Sequence, residues 1–249
     1  NLAASAEPSG PTEPRNRAEA LRLDEAGWTA SMDKEIATHA KNVSWEWIRR
    51  RDVPRGRHLI KLVWVFKVKR NGSLKSRLCV QGCAQTAGID YDQTWSGTLR
   101  STSLRCLACL AARDGLRLRR WDFESAYLQG QLEEGEVVYC SAPAGYPKYD
   151  ADGYEMCCKV VKPIYGMAQA GRRWQRTLFT WLKDFGLTQS EEDTCIFQLT
   201  RTMDTPDGPR EEKIVVGVYV DDLACAYKYD DEHSLYHQFT AALQEWRVE

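Results

Sequence analysis

Apolar residues return at every fourth position from Trp28 through Met32 to Ile36, and Asn42 follows, so the spacing predicts a short amphipathic helix with an Asn stop. The period then changes. LVWVFKVKRNGSLKSRLCVQG reads as two β-rich runs joined at Asn71-Gly72, a strong hairpin signal because both central positions of a type I′ turn take positive φ. The hairpin carries Lys67, Lys69, Arg70, Lys75 and Arg77, a basic β-ribbon. Ser101 to Asp114 has helical spacing with Gly115 as its stop, and LRLRRWDF follows with Leu116 and Leu118 alternating as in a strand. Trp174, Leu178, Leu182 and Phe185 lie on one face of a helix over Arg172 to Phe185, again closed by a glycine, Gly186. Lys213 to Val220 and Leu223 to Tyr227 are β-like runs with Asp221-Asp222 between them, a second tight hairpin with two carboxylates at its tip. Ser234 to Val248 is amphipathic through Leu235, Phe239 and Trp246. Helices mixed with hairpins predict an α+β fold with a largely antiparallel sheet.

Residues 1–19 are rich in Pro and Gly and lack periodic apolar positions, so they are expected to be a flexible linker ahead of one domain over 20–249. The 249 residues suffice for one large domain or two small ones. The longest clear apolar run, Ile214 to Val220, is far short of the roughly 18 residues of a membrane span. With no signal-peptide pattern either, the chain reads as soluble and intracellular. Nine cysteines at irregular spacing argue against a disulfide framework. Cys106 and Cys109 have no second pair to complete a zinc site and are expected in the core. His233 and His237 have helical spacing and read as a solvated face.

The net charge of −1 conceals an asymmetry: residues 41–120 hold 18 Lys and Arg against 5 Asp and Glu, and the remainder 16 against 30. One region suits a polyanion and the other can offer carboxylates to metal ions; solvated strand faces are the plainer alternative. An Asp-Asp pair in a turn is common by itself. Here it follows the strongly apolar IVVGVYV, so two adjacent charges leave what reads as buried sheet. Asp122 ends a second such strand in RRWDFESAYLQG. Three carboxylates at strand ends that could be sheet neighbours would suit two divalent cations about 3.5 to 4 Å apart.

Tyr219-Val220-Asp221-Asp222 resembles the YxDD box of reverse transcriptases, and Asp122-Phe123-Glu124-Ser125-Ala126-Tyr127-Leu128 resembles their first carboxylate motif. In detail the chain is similar to the polymerase of copia-type retrotransposons. WTASMDKEI, WVFKVKRNGSLKSRL, QGCAQTAGIDYDQTWS, STSLR, DFESAYLQGQL, PAGY, PIYGMAQAGRRW, EEDTCIF and VYVDD occur in the family's order from about residue 24 onward. The resemblance implies the fingers and palm of a right-hand polymerase, without a thumb. It implies RNA-directed DNA synthesis by two-metal transfer from a dNTP to a primer 3′ hydroxyl, with two Mg²⁺ ions, Mn²⁺ being possible.

By the same resemblance Asp122, Asp221 and Asp222 are the catalytic and metal-binding aspartates, with Phe123 adding its backbone carbonyl. Arg77 matches the fingertip arginine on the incoming triphosphate, with Lys69 as its companion and Arg70 nearly as good. Gln169 matches the glutamine that backs nucleotide and template, and Tyr127 the aromatic sugar gate. An exposed hairpin, a surface amide and a core ring are the respective plain alternatives. Implied partners are an RNA or DNA template with primer, dNTP, and the other polyprotein domains (thumb, RNase H, integrase), with no membrane and a cytoplasmic setting in element particles. Where the family usually reads TFSP this chain has Thr94-Trp95-Ser96-Gly97, and for QAPR it has Gln169-Ala170-Gly171-Arg172. Losing two prolines loosens two helix starts. The sequence reaches Glu249 where the family continues into more palm, a thumb and RNase H, so it reads as a fragment of a polyprotein. The rival reading is a non-catalytic nucleic-acid-binding relic; a nucleotide cyclase on a similar palm leaves the basic ribbon unexplained.

Overall fold

The structure is a computed structural model, and it describes residues 13–246. In chain order the elements are α1 (Arg17–Leu23), α2 (Glu25–Lys41), β1 (Trp45–Arg49), β2 (Leu62–Val68), β3 (Leu74–Val80), α3 (Ser101–Asp114), β4 (Arg117–Asp122), β5 (Val138–Cys140), β6 (Met156–Val160), α4 (Ala170–Asp184), β7 (Thr188–Gln189), β8 (Ile196–Thr205), β9 (Gly208–Tyr219), β10 (Asp222–Tyr227) and α5 (Leu235–Trp246). All strand pairings within the three sheets are antiparallel. The mixed α and β content with antiparallel sheets is therefore as expected.

The described residues form two compact units, each assembled from two stretches: residues up to 94 with 127–174, and 95–126 with those from 175 onward. The expected linker ends earlier than residue 19. Helix α1 starts at Arg17, capped by the Asn16 side chain accepting from the Glu19 amide at 2.9 Å, while the Glu19 carboxylate accepts from Arg15 N at 2.8 Å. These reciprocal bonds satisfy amides that a helix start leaves open. Residues 1–12 of the expected linker lie outside the described residues.

In the first unit, the inward face of the β2–β3 ribbon (Leu62, Trp64, Phe66, Leu78, Val80) joins Trp28 and Met32 of α2 in one core, with Trp28 edge-on to Phe66 at 5.1 Å. A three-stranded sheet, β1-β6-β5, adds Val138, Cys140, Cys158 and Val160. The outer backbone edge of β3 is closed without a third strand. Ser76 N donates to Ser31 Oγ (2.8 Å), Leu78 N to Glu35 Oε1 (3.0 Å) and Val80 N to the Tyr165 carbonyl (2.7 Å). Ser31 and Glu35 are one helical turn apart, so α2 presents both acceptors to successive outward amides of the strand.

The ribbon's turn differs from the expected type I′. Lys69 N donates to Ser73 O (2.9 Å) and Gly72 N to Lys69 O (2.8 Å), and among Arg70, Asn71 and Gly72 only the glycine has positive φ, +80°. This is the three-residue connection in which a type I turn precedes a left-handed residue. Asn71 instead uses its side chain, accepting from the Ser73 amide at 3.1 Å.

The second unit is built on the five-stranded sheet β4-β10-β9-β8-β7. Ile214, Val216 and Val218 of β9 and Leu223, Cys225 and Tyr227 of β10 are buried, and Tyr227 stacks on Tyr236 of α5 at 3.5 Å. The periodicity of α3 is weakly used: only Leu107 and Ala111 are buried, while Leu104, Leu110 and, on β4, Leu118 are 41–49% exposed. Cys106 and Cys109 are exposed as well, which corrects their expected core placement. His233 precedes α5, so it does not share a helix face with His237. None of the described helices is long and apolar enough to cross a membrane.

Candidate active site

Strand β10 lies between β4 and β9, and their antiparallel register decides what gathers at the sheet's end. Asp122, the last residue of β4, is the partner of Asp222, the first of β10, whose other neighbour is Tyr219 at the end of β9. Phe123 N donates to the Asp221 carbonyl at 3.0 Å, carrying the ladder one step past the strand ends. The expected tip is displaced by one residue: the two-residue turn is Val220-Asp221, and Asp222 already belongs to β10. Partners directly opposite share a face with Cβ atoms roughly 4.5–5.5 Å apart. Asp122 and Asp222 thus form a like-charge cross-strand pair, with Asp221 beside them in the turn.

Arg120, two residues before Asp122 and on the same face, offsets this repulsion. Its Nε and Nη2 stand 2.9 and 2.7 Å from Asp222 Oδ1, and the hydrogen bond to Asp222 pushes the guanidinium pKa up. With Asp222 turned to Arg120, no three His, Cys, Asp or Glu side chains among the described residues are gathered closely enough to hold a metal ion. The backbone brings the three aspartates and the Phe123 carbonyl to one edge, but the carboxylates do not converge. The donor set itself, hard oxygens and like charge at one edge, fits a divalent cation such as Mg²⁺.

The remaining candidates belong to the first unit. Arg77 is exposed on the outward face of the ribbon opposite Val65, with its guanidinium carbon 4.9 Å from the centroid of Tyr165. Lys69 is exposed at the ribbon's turn, four residues beyond Val65, which is about 13 Å along a strand. Lys67 and Lys75, directly opposite each other, are nearer in register to Arg77. Tyr127 is half-buried, with its ring centroid 4.6 Å from that of Tyr165. Gln169 is fully buried, and its amide is engaged on both sides: Nε2 donates to the Asp90 carbonyl (3.0 Å) and Oε1 accepts from Gln85 Nε2 (3.1 Å). Gln85 Oε1 in turn accepts from Ala168 N at 2.7 Å.

Arg120, Tyr165, Gln85 and Asp90 escaped sequence reasoning. Arg120 carried no signal apart from its two-residue offset from Asp122; Tyr165-Gly166, inside PIYGMAQAGRRW, was a tyrosine followed by a candidate positive-φ residue.

Residues 44–238 match the family model described as reverse transcriptase (RNA-dependent DNA polymerase). The "Retrovirus-related Pol polyprotein from transposon RE2" of Arabidopsis thaliana is 33% identical over 242 residues, 95% of this chain and 15% of the relative. The corresponding polyprotein from transposon RE1 of the same plant is 34% identical over 217 residues, 85% of this chain and 14% of the relative. A Nicotiana tabacum polyprotein, from transposon TNT 1-94, is 32% identical over 172 residues, 67% of this chain and 12% of the relative. The chain thus spans less than a sixth of the length of each of these relatives. With most of its residues under the family model and these polyproteins alongside it, the chain belongs to the reverse transcriptase (RNA-dependent DNA polymerase) family, as a domain of the copia-type retrotransposon Pol kind.

Proposed function

We propose that this chain catalyses RNA-directed DNA synthesis, joining a dNTP to a primer 3′ hydroxyl, with the second unit as palm and the first as fingers. The observation that carries the reading is the pairing of Asp122 with Asp222 at the end of the sheet, with Asp221 in the adjoining turn. Asp122, Asp221, Asp222 and the Phe123 carbonyl would hold two Mg²⁺ ions, or Mn²⁺. When bound, the ions supply Lewis-acid chemistry, favouring the 3′ alkoxide and offsetting charge on the pyrophosphate. To join that donor set Asp222 would have to release Arg120, which now holds its Oδ1.

Arg77 grips the triphosphate through a planar fork of donors, and Lys69 adds a point charge from the ribbon's turn. Tyr127 fills the space of a ribose 2′ hydroxyl. Gln169, its own amide consumed by Asp90 and Gln85, backs the nucleotide by holding the segment before α4 in place. Primer and an RNA or DNA template are the polymeric partners, and the other domains of a Pol polyprotein are the covalent ones. The Arg120–Asp222 pair favours one second reading, a nucleic-acid-binding relic in which Arg120 keeps Asp222 permanently.

Single-nucleotide extension of a primed RNA template in Mg²⁺ or Mn²⁺ separates the two. Asp122→Asn and Asp221→Asn are expected to reduce extension by about a hundredfold or more, with duplex affinity unchanged and melting no lower than wild type. Undiminished extension by folded Asp122→Asn would overturn the metal-site assignment, and duplex binding without extension by the wild type would favour the relic.

A further inference from the structure

Tyr165 stands between two side chains with different proposed tasks. Its ring lies 4.9 Å from the Arg77 guanidinium carbon and 4.6 Å, centroid to centroid, from the ring of Tyr127. Arg77 and Tyr127 come from distant parts of the sequence, on β3 and on the turn after residue 126, and Tyr165 is a ring that both contact.

The backbone beneath that ring has little freedom. The Tyr165 carbonyl accepts from Val80 N at 2.7 Å, three residues along β3 from Arg77. Gly166 follows at φ +87°, and a Cβ there would lie 2.2 Å from the Val80 carbonyl oxygen. A Cβ on Gly82 would lie 2.0 Å from the Gly166 carbonyl oxygen. The two chain segments therefore cross at a separation that admits no side chain at either glycine, and the backbone that carries Tyr165 is held against β3. Three residues beyond Gly166, Gln169 anchors the far end of the bend to Asp90 and Gln85.

A guanidinium over an aromatic face is held by the ring's quadrupole, and tilted rings near 5 Å favour one another's packing. We propose that Tyr165 is a positioning residue of the nucleotide site, setting the triphosphate-binding arginine and the sugar-sensing ring in fixed relation. The inference rests on the polymerase reading and goes beyond it. It says that grip on the triphosphate and discrimination of the sugar are coupled through one side chain that acts on neither directly. A nucleotide whose 2′ hydroxyl displaces the Tyr127 ring then disturbs Tyr165, and with it the Arg77 guanidinium.

The test measures equilibrium binding of dATP and ATP to the 249-residue chain on a primed RNA template in Mg²⁺, with a dideoxy-terminated primer so that no bond forms. Tyr165→Phe keeps the ring and is expected to stay within about twofold of wild type for both ligands. Tyr165→Leu is expected to weaken dATP by about tenfold and to cut the preference for dATP over ATP by a similar factor. Duplex affinity should not change. In an Arg77→Ala background, Tyr165→Leu should add no more than about twofold to the dATP Kd, since the two residues act as one unit. Tyr165→Met, unbranched and flexible enough to fill an irregular gap, provides the same test should the leucine variant fail to fold.

The NMR signals of the Arg77 δ-methylene give a readout independent of nucleotide. They should be displaced upfield by ring current in wild type and Tyr165→Phe, and return to ordinary positions in Tyr165→Leu. A folded Tyr165→Leu or Tyr165→Met protein with wild-type dATP affinity and sugar preference, or effects fully additive with Arg77→Ala, would overturn the proposal while leaving the polymerase reading intact. A wild type that binds neither nucleotide on the primed template overturns the polymerase reading and this inference with it.

Discussion

Val220 is the most strained residue beside the proposed carboxylates. Among the described residues only three non-glycines have positive φ; Val220, at +55°, adjoins Asp221, and Ser125, at +53°, lies three residues after Asp122. A β-branched residue in the left-handed region costs roughly 1–2 kcal/mol, and such strain persists where surrounding structure over-determines it, often at functional sites. Here the over-determination is visible. The register Tyr219↔Asp222 on one side and Asp222↔Asp122 on the other leaves two residues to reverse the chain. Asn tolerates this conformation, so Val220→Asn is expected to stabilise by about 1 kcal/mol, raising Tm by roughly 2–4 °C. Val220→Ala removes the branch but offers no polar group to hydrogen-bond locally, so it should gain less. Calorimetry decides; a Val220→Asn protein that melts no higher than wild type would mean that the turn carries no left-handed cost.

At the scale of elements, the ribbon depends on α2 for the pairing that a third strand would supply. Leu78 is fully buried and donates its amide to Glu35, so Glu35→Ala, which leaves that N–H without its acceptor, is expected to cost about 1–3 kcal/mol. Burial pushes the Glu35 pKa up, but the bond to His39, the Leu78 amide and the charges of His39 and Lys75 together bring it below the ordinary value. A carboxyl whose folded pKa is lowered stabilises above its unfolded value, and that contribution fades as pH falls through the folded one. In urea denaturation, the stability gap between wild type and Glu35→Gln should therefore close on acidification, and a gap independent of pH would contradict it. Gly97 gives a different kind of dependence. Its amide donates to Gln175 Oε1 at 3.1 Å and its carbonyl accepts from Gln175 Nε2 at 2.6 Å. Restoring the family's proline at this position removes the donor, so Gly97→Pro is expected to lower stability by about 1–3 kcal/mol rather than tighten the helix start; a higher Tm would show that chain stiffening prevails. These elements were legible where their signals are local. The fourfold spacing in α2, Gly115 and Gly186 as helix stops, and the apolar β9 all follow from side chains near one another in sequence. Strand β8 was not legible because most of its positions are partly or wholly exposed and its burial does not alternate.

At the scale of the molecule, the candidate carboxylates could be named from sequence, but the pairing of β4 with β10 could not, since it joins strands about a hundred residues apart with no local pattern to announce it. The boundaries of the two units were hidden for the same reason: each is closed by two separated stretches. Charge is the property that does carry over from composition to the folded chain. The excess of Lys and Arg within residues 41–120 includes the outward face of the ribbon, where Lys67 stands opposite Lys75 and Arg77 opposite Val65. Among the described residues, Lys67 and Arg77 form no ion pair with a carboxylate and Lys75 feels the charge of Glu35 without pairing with it, whereas Arg50 reaches Glu155 at 2.9 Å. Two like charges directly opposed on a ribbon are unfavourable unless an anion lies between or across them, and a nucleic-acid backbone is such an anion. If Lys67 and Lys75 each neutralise a phosphate, primer-template binding weakens with salt, and Lys67→Gln or Lys75→Gln each reduces the slope of log Kobs against log salt by about one. Arg50→Gln, removing a cation already paired within the protein, should alter that slope little. Arg77→Ala should instead raise the dNTP Kd with a nearly unchanged salt slope, because its fork is assigned to the triphosphate. Binding titrations from low to moderate salt, run for all four variants, test the ribbon as a whole. Identical slopes for wild type and both lysine variants would place the polymer elsewhere and leave the ribbon to the nucleotide alone.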